Sequence, residues 1–134
     1  MRVFKTRWID RFARRERVAD SSLRDAIARA ERGLVDADLG GGLLKQRVAR
    51  EGQGRSGGYR MMVAYRAQGR AVFLYAFAKN ERDNVDPDEL LSLRQIAEAW
   101  LAADDHQIAL ALTDGALQEI EDGEEIQHAD RSDP

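Results

Sequence analysis

Apolar residues recur at helical spacing near the start of the chain. Trp8, Phe12 and Ala13 lie on one face of a helical projection and arginines lie on the others, which predicts an amphipathic helix. A second apolar stripe consists of Leu23, Ile27 and Ala30. The side-chain oxygens of residues 20–22 can cap this second helix, and Gly33 can end it. The pattern therefore predicts a helical hairpin.

Extended segments are predicted at residues 2–4 and, after the glycines at 40–42, at residues 43–50, 59–67 and 70–79. We expect the last two to form a hairpin, because Gln68-Gly69 lies between them with glycine where a tight two-residue turn needs a positive φ. Both alternating sets of residues 71–78 are apolar, which predicts a central strand that is covered on both faces.

The last third of the chain favours helices. Residues 86–89 read Asp-Pro-Asp-Glu, which combines a capping acid, a proline at the first helical position and a glutamate at the third. The helix that begins there is expected to extend to about residue 103. Asp104 is expected to cap a further short helix that ends at Gly115, and residues 116–120 to form a short strand. Helices and strands together predict an α+β domain.

The chain is expected to form one domain over residues 1–120, followed by an acidic disordered tail at residues 121–134. It contains no cysteine, which excludes disulfides, thiol nucleophiles and cysteine zinc sites. No segment is apolar for long enough to span a bilayer, and the first residues do not resemble a secretion signal. We therefore expect a cytoplasmic protein without membrane contacts.

The net charge of −3 conceals two halves of opposite sign. Residues 1–82 contain 19 lysines and arginines against 9 acidic residues, a balance of +10, whereas residues 83–134 contain 2 against 15, a balance of −13. A basic half of this kind indicates a polyanionic partner; the alternative at this point is that the arginine-rich helices only present a solvated face.

A glycine-rich segment at residues 52–60, GQGRSGGYR, leads directly into a predicted strand. Glycines allow close approach of the backbone, and arginines donate bidentate hydrogen bonds to phosphate. The segment does not contain the lysine, followed by serine or threonine and then a helix, that a P-loop needs, which disfavours nucleoside triphosphate binding. Basic side chains on the neighbouring strands and tyrosine rings that can stack on unpaired bases favour a nucleic acid.

Missing residue types restrict the chemistry further. The two histidines, His106 and His128, lie in the acidic half, so neither a paired-histidine ribonuclease nor a serine–histidine–aspartate triad is expected. The acidic residues of the basic half do not cluster in sequence, which disfavours a two-metal nuclease. Phosphoryl chemistry would then depend on arginine and lysine, without a metal or other cofactor.

Three segments carry a resemblance to a known family. The runs DADLGGGLLKQRVA at 36–49, GQGRSGGYR at 52–60 and FAKNERDNV at 77–85 resemble the RelE/HigB-type toxins of type II toxin–antitoxin modules, within the RelE/ParE superfamily and especially its phage-associated subgroup. The similarity covers residues 1–120. It implies a RelE-like fold, in which two N-terminal helices pack on a small, mainly antiparallel sheet and helices follow at the C-terminal end.

The resemblance also implies a function. In that family the toxin enters the ribosomal A site and cleaves messenger RNA by attack of a ribose 2′-hydroxyl on the adjacent phosphate. By position, Arg60 would stabilise the transition state, and the expected catalytic residues are Arg60, Lys45, Arg47, Arg82 and Lys79. The expected RNA-binding residues are Arg50, Arg55, Tyr59 and Tyr65. The expected partners are the ribosome, messenger RNA and a cognate antitoxin, commonly a helix-turn-helix protein.

Two departures from the family pattern leave the proton-transfer groups unassigned. RelE proper has an arginine where this chain has Asn80 and a tyrosine where it has Asp86, and HigB-type members use histidines that this chain lacks. Two other functions therefore remain open. The chain can be a ParE-like toxin that inhibits DNA gyrase by binding, or a non-enzymatic nucleic-acid-binding or regulatory module.

Overall fold

The computed structural model describes residues 1–50, 58–82 and 84–121. Within these ranges the strands are β1 (Arg2–Thr6), β2 (Ala37–Asp38), β3 (Leu43–Val48), β4 (Tyr59–Tyr65), β5 (Arg70–Ala78) and β6 (Leu117–Glu119). The helices are α1 (Arg7–Glu16), α2 (Asp20–Glu31), α3 (Pro87–Ala102) and α4 (Asp105–Asp114). The predicted α+β class, with two N-terminal helices, a mainly antiparallel sheet and C-terminal helices, is confirmed.

The described strands form one sheet in the order β2-β3-β4-β5-β1-β6. Each neighbouring pair is antiparallel except β1 and β5, which are parallel. The prediction that residues 71–78 form a central strand is confirmed, because β5 lies between β4 and β1. A register shift between Met62 and Val63 marks an irregularity in the β4–β5 pairing.

The sheet is covered on both faces. Helices α1 and α2 pack on one face, here called the α1/α2 face, where Phe12, Leu23 and Ile27 join side chains such as Met61 and Phe73. Helices α3 and α4 pack on the other, the α3/α4 face, and residues of this second cluster include Phe4, Met62, Val72, Leu93 and Ile108. Complete burial of such a side chain contributes roughly 1.5 to 3 kcal/mol to stability.

Local signals fixed some boundaries and missed others. Asp86 caps α3 in a capping box with Glu89, as predicted. The predicted N-cap of α2 was wrong: the N-cap is Ala19, which offers no side-chain bond, and the Asp20 carboxylate instead accepts a hydrogen bond of 2.8 Å from Lys5 Nζ. The predicted stop at Gly33 is confirmed, because this residue follows the C-cap Arg32 with a φ of 79°. In the β4–β5 turn the left-handed position is occupied by Gln68, with φ 60°, and not by the glycine that follows it. Strand β2 was not predicted.

The C-terminal part of the described chain returns to its beginning. Strand β6 pairs with β1, and the backbone N–H of Ile120 donates to the carbonyl of Val3. Of the predicted acidic tail at residues 121–134, residues 122–134 lie outside the described residues. None of the helices in the described ranges is long and apolar enough to cross a membrane.

Candidate nucleic-acid interface

Two arginines face each other on neighbouring strands of the sheet. The antiparallel register of β3 and β4 pairs Arg47 with Arg60. Both side chains reach the same carboxylate: Arg47 Nε lies 3.0 Å from Asp36 Oδ1, and Arg60 Nε lies 3.4 Å from Asp36 Oδ2. The three residues are called the Asp36 cluster below. Two guanidinium groups on one anion form an arrangement that also suits phosphate oxygens.

The position of Asp36 is set by a buried amide. The Asp36 backbone N–H donates to Gln46 Oε1 at 2.8 Å, and Gln46 Nε2 donates to the carbonyls of Ala26 at 2.8 Å and Leu34 at 3.2 Å. Gln46 is completely buried. A satisfied buried polar network of this kind is rigid, so the segment before β2 is held where its carboxylate bridges the arginines. Sequence reasoning missed both Asp36 and Gln46.

Arg60 is the more deeply placed of the two arginines. Only 6% of its side chain is exposed, against 48% for Arg47. Its Nη1 atom is buried and has no hydrogen-bond partner among the residues that the structure describes. A buried donor without an acceptor costs roughly 1 to 3 kcal/mol, more when it is charged, and such a donor in a native fold is where a ligand can compensate.

Lys45 lies on the same face of the sheet as the two arginines. It is two residues from Arg47 on β3, so the strand pleat directs both to one face, and it is opposite Met62, which belongs to the α3/α4 cluster. Lys45 is half-buried. Lys45, Arg47 and Arg60 therefore share the α3/α4 face of β3 and β4.

The side chain of Arg82, which follows β5 in the chain, lies back over the end of that strand. Its Nη2 lies 2.6 Å from Glu89 Oε1 on α3, and its guanidinium group lies 5.6 Å from the ring centre of Phe77. The hydrogen bond raises the pKa of Arg82 and lowers the pKa of Glu89. Because Phe77 is the register partner of Arg60, Arg82 lies over the neighbouring strand. Lys79 is exposed just beyond the end of β5.

The two predicted stacking tyrosines lie elsewhere. Tyr59 and Tyr65 project to the α1/α2 face, opposite to Arg60. The Tyr59 hydroxyl donates to Glu16 Oε1 at 2.6 Å, and burial together with this bond raises the pKa of Tyr59 to about 12. Burial also raises the pKa of Tyr65. The structure therefore does not bring these rings to the Asp36 cluster.

The two predicted RNA-binding arginines remain predictions. Arg50 is exposed beyond the end of β3, and its charge acts on Glu16 and Tyr59. Arg55 lies outside the described residues. His106 is exposed on α4, away from the arginines in sequence and element. Among the described residues no group of three or more histidine, cysteine or acidic side chains can hold a metal ion.

The α+β domain carries lysine and arginine side chains along two adjacent strands, an arrangement that favours an anionic partner at this part of the sheet. Comparison with protein families specifies the class of protein. Residues 1–120 match the family described as RelE toxin of RelE / RelB toxin-antitoxin system. The chain therefore belongs to the RelE toxin family: it is a toxin of a toxin–antitoxin system, and its partner in that module is an antitoxin. No curated protein sequence matches the chain significantly.

Proposed function

We propose that the toxin is a metal-independent endoribonuclease that cleaves messenger RNA on the ribosome. The observation that supports this proposal is the Asp36 cluster, in which the buried Arg60 keeps one nitrogen without a partner in the described part of the chain. A phosphate oxygen can occupy that position as a further acceptor. Membership of the RelE family raises the expectation of this activity.

In the proposed reaction a ribose 2′-oxygen attacks the adjacent phosphorus and the 5′-oxygen of the next nucleotide leaves, which produces a 2′,3′-cyclic phosphate and a 5′-hydroxyl. The phosphate gains negative charge in the transition state, and Arg60 stabilises that gain. Arg47 and Lys45 on β3 bind the same RNA strand, and Arg82 and Lys79, beyond the end of β5, bind it as well. The 2′-hydroxyl proton goes to a base and the leaving oxygen takes up a proton.

Access to Arg60 requires a local shift. Because its side chain is 6% exposed, a phosphate reaches Nη1 when the guanidinium group moves towards solvent or when its neighbours part. Asp36 binds the guanidinium group of Arg60 before the phosphate arrives. The carboxylate and the phosphate therefore bind the same arginine pair one after the other. Tyr59 does not suit the role of base, because its pKa of about 12 keeps it protonated at neutral pH and its side chain lies on the other face.

The test is primer extension on messenger RNA in a purified translation system, with wild-type protein, Arg60→Lys and Arg66→Ala. Lysine keeps the charge of Arg60 but cannot engage a carboxylate and a phosphate through a planar fork. Loss of one such donor lowers the rate by roughly 100- to 1,000-fold. Arg66 is the matched control, an exposed arginine at the far end of β4 that donates to a backbone carbonyl.

A folded Arg60→Lys protein that cleaves as fast as the wild type would contradict the assignment of Arg60. Wild-type protein that leaves the messenger intact but inhibits supercoiling by purified DNA gyrase would instead support the ParE-like alternative. Absence of both activities, together with growth that is unaffected on expression, would favour a non-enzymatic module.

The antitoxin is proposed to be a helix-turn-helix protein encoded beside the toxin. A basic toxin surface on β3 and β4 suits a partner that covers it with acidic side chains. Co-expression of the neighbouring reading frame is expected to restore growth, and no rescue by any adjacent frame would contradict this proposal. Cytoplasmic location and membership of the phage-associated subgroup also remain predictions.

A further inference from the structure

A small cleft opens at the edge of β5, beyond the point where β1 stops pairing with it. Strand β1 pairs with β5 only as far as Phe73. Helix α1 follows β1 directly in the chain and lies beside the rest of β5. The cleft has a volume of about 220 Å³, and its principal lining residues are Trp8, Phe12, Arg15, Tyr75, Phe77 and Arg82. This is smaller than the roughly 300 to 1,000 Å³ of pockets that enclose a drug-sized ligand, which suits a single flat group.

The cleft is built mainly from aromatic rings. The Trp8 ring lies 5.5 Å from that of Phe12 with an angle of 13° between the planes, and 4.8 Å from that of Tyr75 at 32°. Trp8 remains 44% exposed although it is a large apolar side chain. An exposed indole supported from behind by two rings is a preformed stacking surface, because its orientation is fixed before a ligand arrives.

Two guanidinium groups border these rings. Arg15 lies over the Phe12 ring at 5.4 Å, and Arg82 lies over the Phe77 ring at 5.6 Å. Each is paired with a carboxylate. The Arg15–Glu16 pair at 3.2 Å is solvent-exposed, and such pairs are weak, whereas the Arg82–Glu89 pair at 2.6 Å is half-buried, so a phosphate would share Arg82 with Glu89. Helix α1 contributes four arginines against two acidic residues, so the surroundings of the cleft favour an anion although Glu81 also borders it.

We propose that this cleft binds one unpaired base of an RNA strand, with Trp8 stacking on the base and Arg15 and Arg82 contacting its flanking phosphates. Rings together with guanidinium groups satisfy both parts of a nucleotide, whereas an acidic peptide would use the arginines and leave the flat indole surface without a matching partner. The occupant is therefore single-stranded RNA.

The position of the cleft relates it to the Asp36 cluster. Phe77 is the register partner of Arg60, and adjacent strands lie roughly 4.8 Å apart. The cleft is therefore bordered by the strand next to Arg60, so one RNA strand could place a base in the cleft and a nearby phosphate at Arg60. This relation rests on the proposed function, but binding of the base does not require cleavage.

The experiment uses a labelled 2′-O-methyl oligoribonucleotide, which cannot be cleaved by 2′-hydroxyl attack, and the full chain at low salt. Fluorescence anisotropy compares wild type, Trp8→Ala, Trp8→Phe and, as a control of similar exposure, Leu110→Ala, since Leu110 is 54% exposed on α4. We expect Trp8→Ala to weaken binding roughly 5- to 150-fold, corresponding to about 1 to 3 kcal/mol per stacked base. Trp8→Phe should retain most of the affinity, and Leu110→Ala all of it.

A second measurement reads the indole directly. In Trp100→Phe the emission comes from Trp8 alone, and we expect saturable quenching by the oligonucleotide that is lost when its bases are replaced by abasic sites. Arg15→Ala and Arg82→Ala should each lower the slope of log affinity against log salt by about 1.

Equal affinity of the abasic and natural oligonucleotides, or unchanged affinity of folded Trp8→Ala, would overturn the proposal. Quenching by an acidic peptide of the antitoxin but not by RNA would overturn it as well and identify a protein-docking surface. The outcome is separable from the proposed function. A toxin that binds the oligonucleotide through Trp8 but cleaves nothing on ribosomes refutes the nuclease alone, whereas one that cleaves messenger RNA but binds the oligonucleotide equally well with Trp8→Ala refutes the base site alone.

Discussion

Substitution of Asp36 by asparagine tests whether one carboxylate holds the arginine pair of the sheet. The two carboxylate oxygens lie 3.0 and 3.4 Å from the Nε atoms of Arg47 and Arg60. Asparagine has nearly the same shape but no charge, so the buried Arg60 would keep a full positive charge without a counter-ion. Removal of one partner of a buried pair costs roughly 3 to 5 kcal/mol. Because 18% of the Asp36 side chain is exposed, we expect the lower end, about 3 kcal/mol.

Arg47→Ala is the matched comparison. Arg47 is 48% exposed, and its removal leaves Asp36 paired with Arg60, so we expect a loss of at most about 1 kcal/mol. The measurement is urea unfolding of the full chain at neutral pH, followed by circular dichroism. In a thermal scan the Asp36→Asn protein should melt on the order of 10 °C below the wild type. Equal stability of Asp36→Asn and wild type, or equal losses in the two variants, would refute this account of the cluster.

Three further substitutions probe other features. Tyr59→Phe removes the bond to Glu16. Since the pKa of Tyr59 is raised from 10.0 to about 12, its contribution to stability is complete below pH 10 and is lost as the pH rises towards 12. The pKa of Tyr65 is raised as well, so the fall should be smaller in Tyr59→Phe, and a fall of unchanged size would contradict the assignment. Asp86→Ala removes the cap of α3 and should cost about 1 kcal/mol in urea unfolding, so an unchanged midpoint would count against the cap. Gly42→Ala places a Cβ 2.6 Å from Leu101 Cδ1 on a residue with a φ of 84°, and should lower the free energy of unfolding by about 1 to 3 kcal/mol. Adding Leu101→Ala to the same chain should relieve the steric part of this loss and leave the backbone part.

The fold was largely predictable because its signals are local. The sequence around Asp86 specifies a helix start through backbone groups within one turn, and both alternating sets of residues in β5 are apolar, which indicates a strand with two covered faces. The cap of α2 was missed because Asp20 is engaged by Lys5, which is distant in sequence. Strand β2 has two residues and depends on pairing with β3, so no local sequence pattern predicts it.

The site was predictable only in part, and one error was avoidable. Tyr59 and Arg60 are consecutive residues of one strand, so the pleat directs them to opposite faces, and the sequence alone could have separated them. The convergence of Arg47 and Arg60 on Asp36 could not be predicted, because it depends on the buried amide of Gln46 and on strand register. The exposure of Trp8 was also missed, since its spacing with Phe12 is that of a core stripe.

The pairing of the first described strand with the last has a consequence for synthesis on the ribosome. Residues 2–6 are made first, yet one side of that strand stays open until residues 70–73 arrive and the other until residues 117–119 arrive. An unpaired strand edge invites association with other chains. A polypeptide released at Gly115 would keep that edge uncovered permanently, so premature termination late in translation yields an aggregation-prone product instead of a slightly shorter toxin.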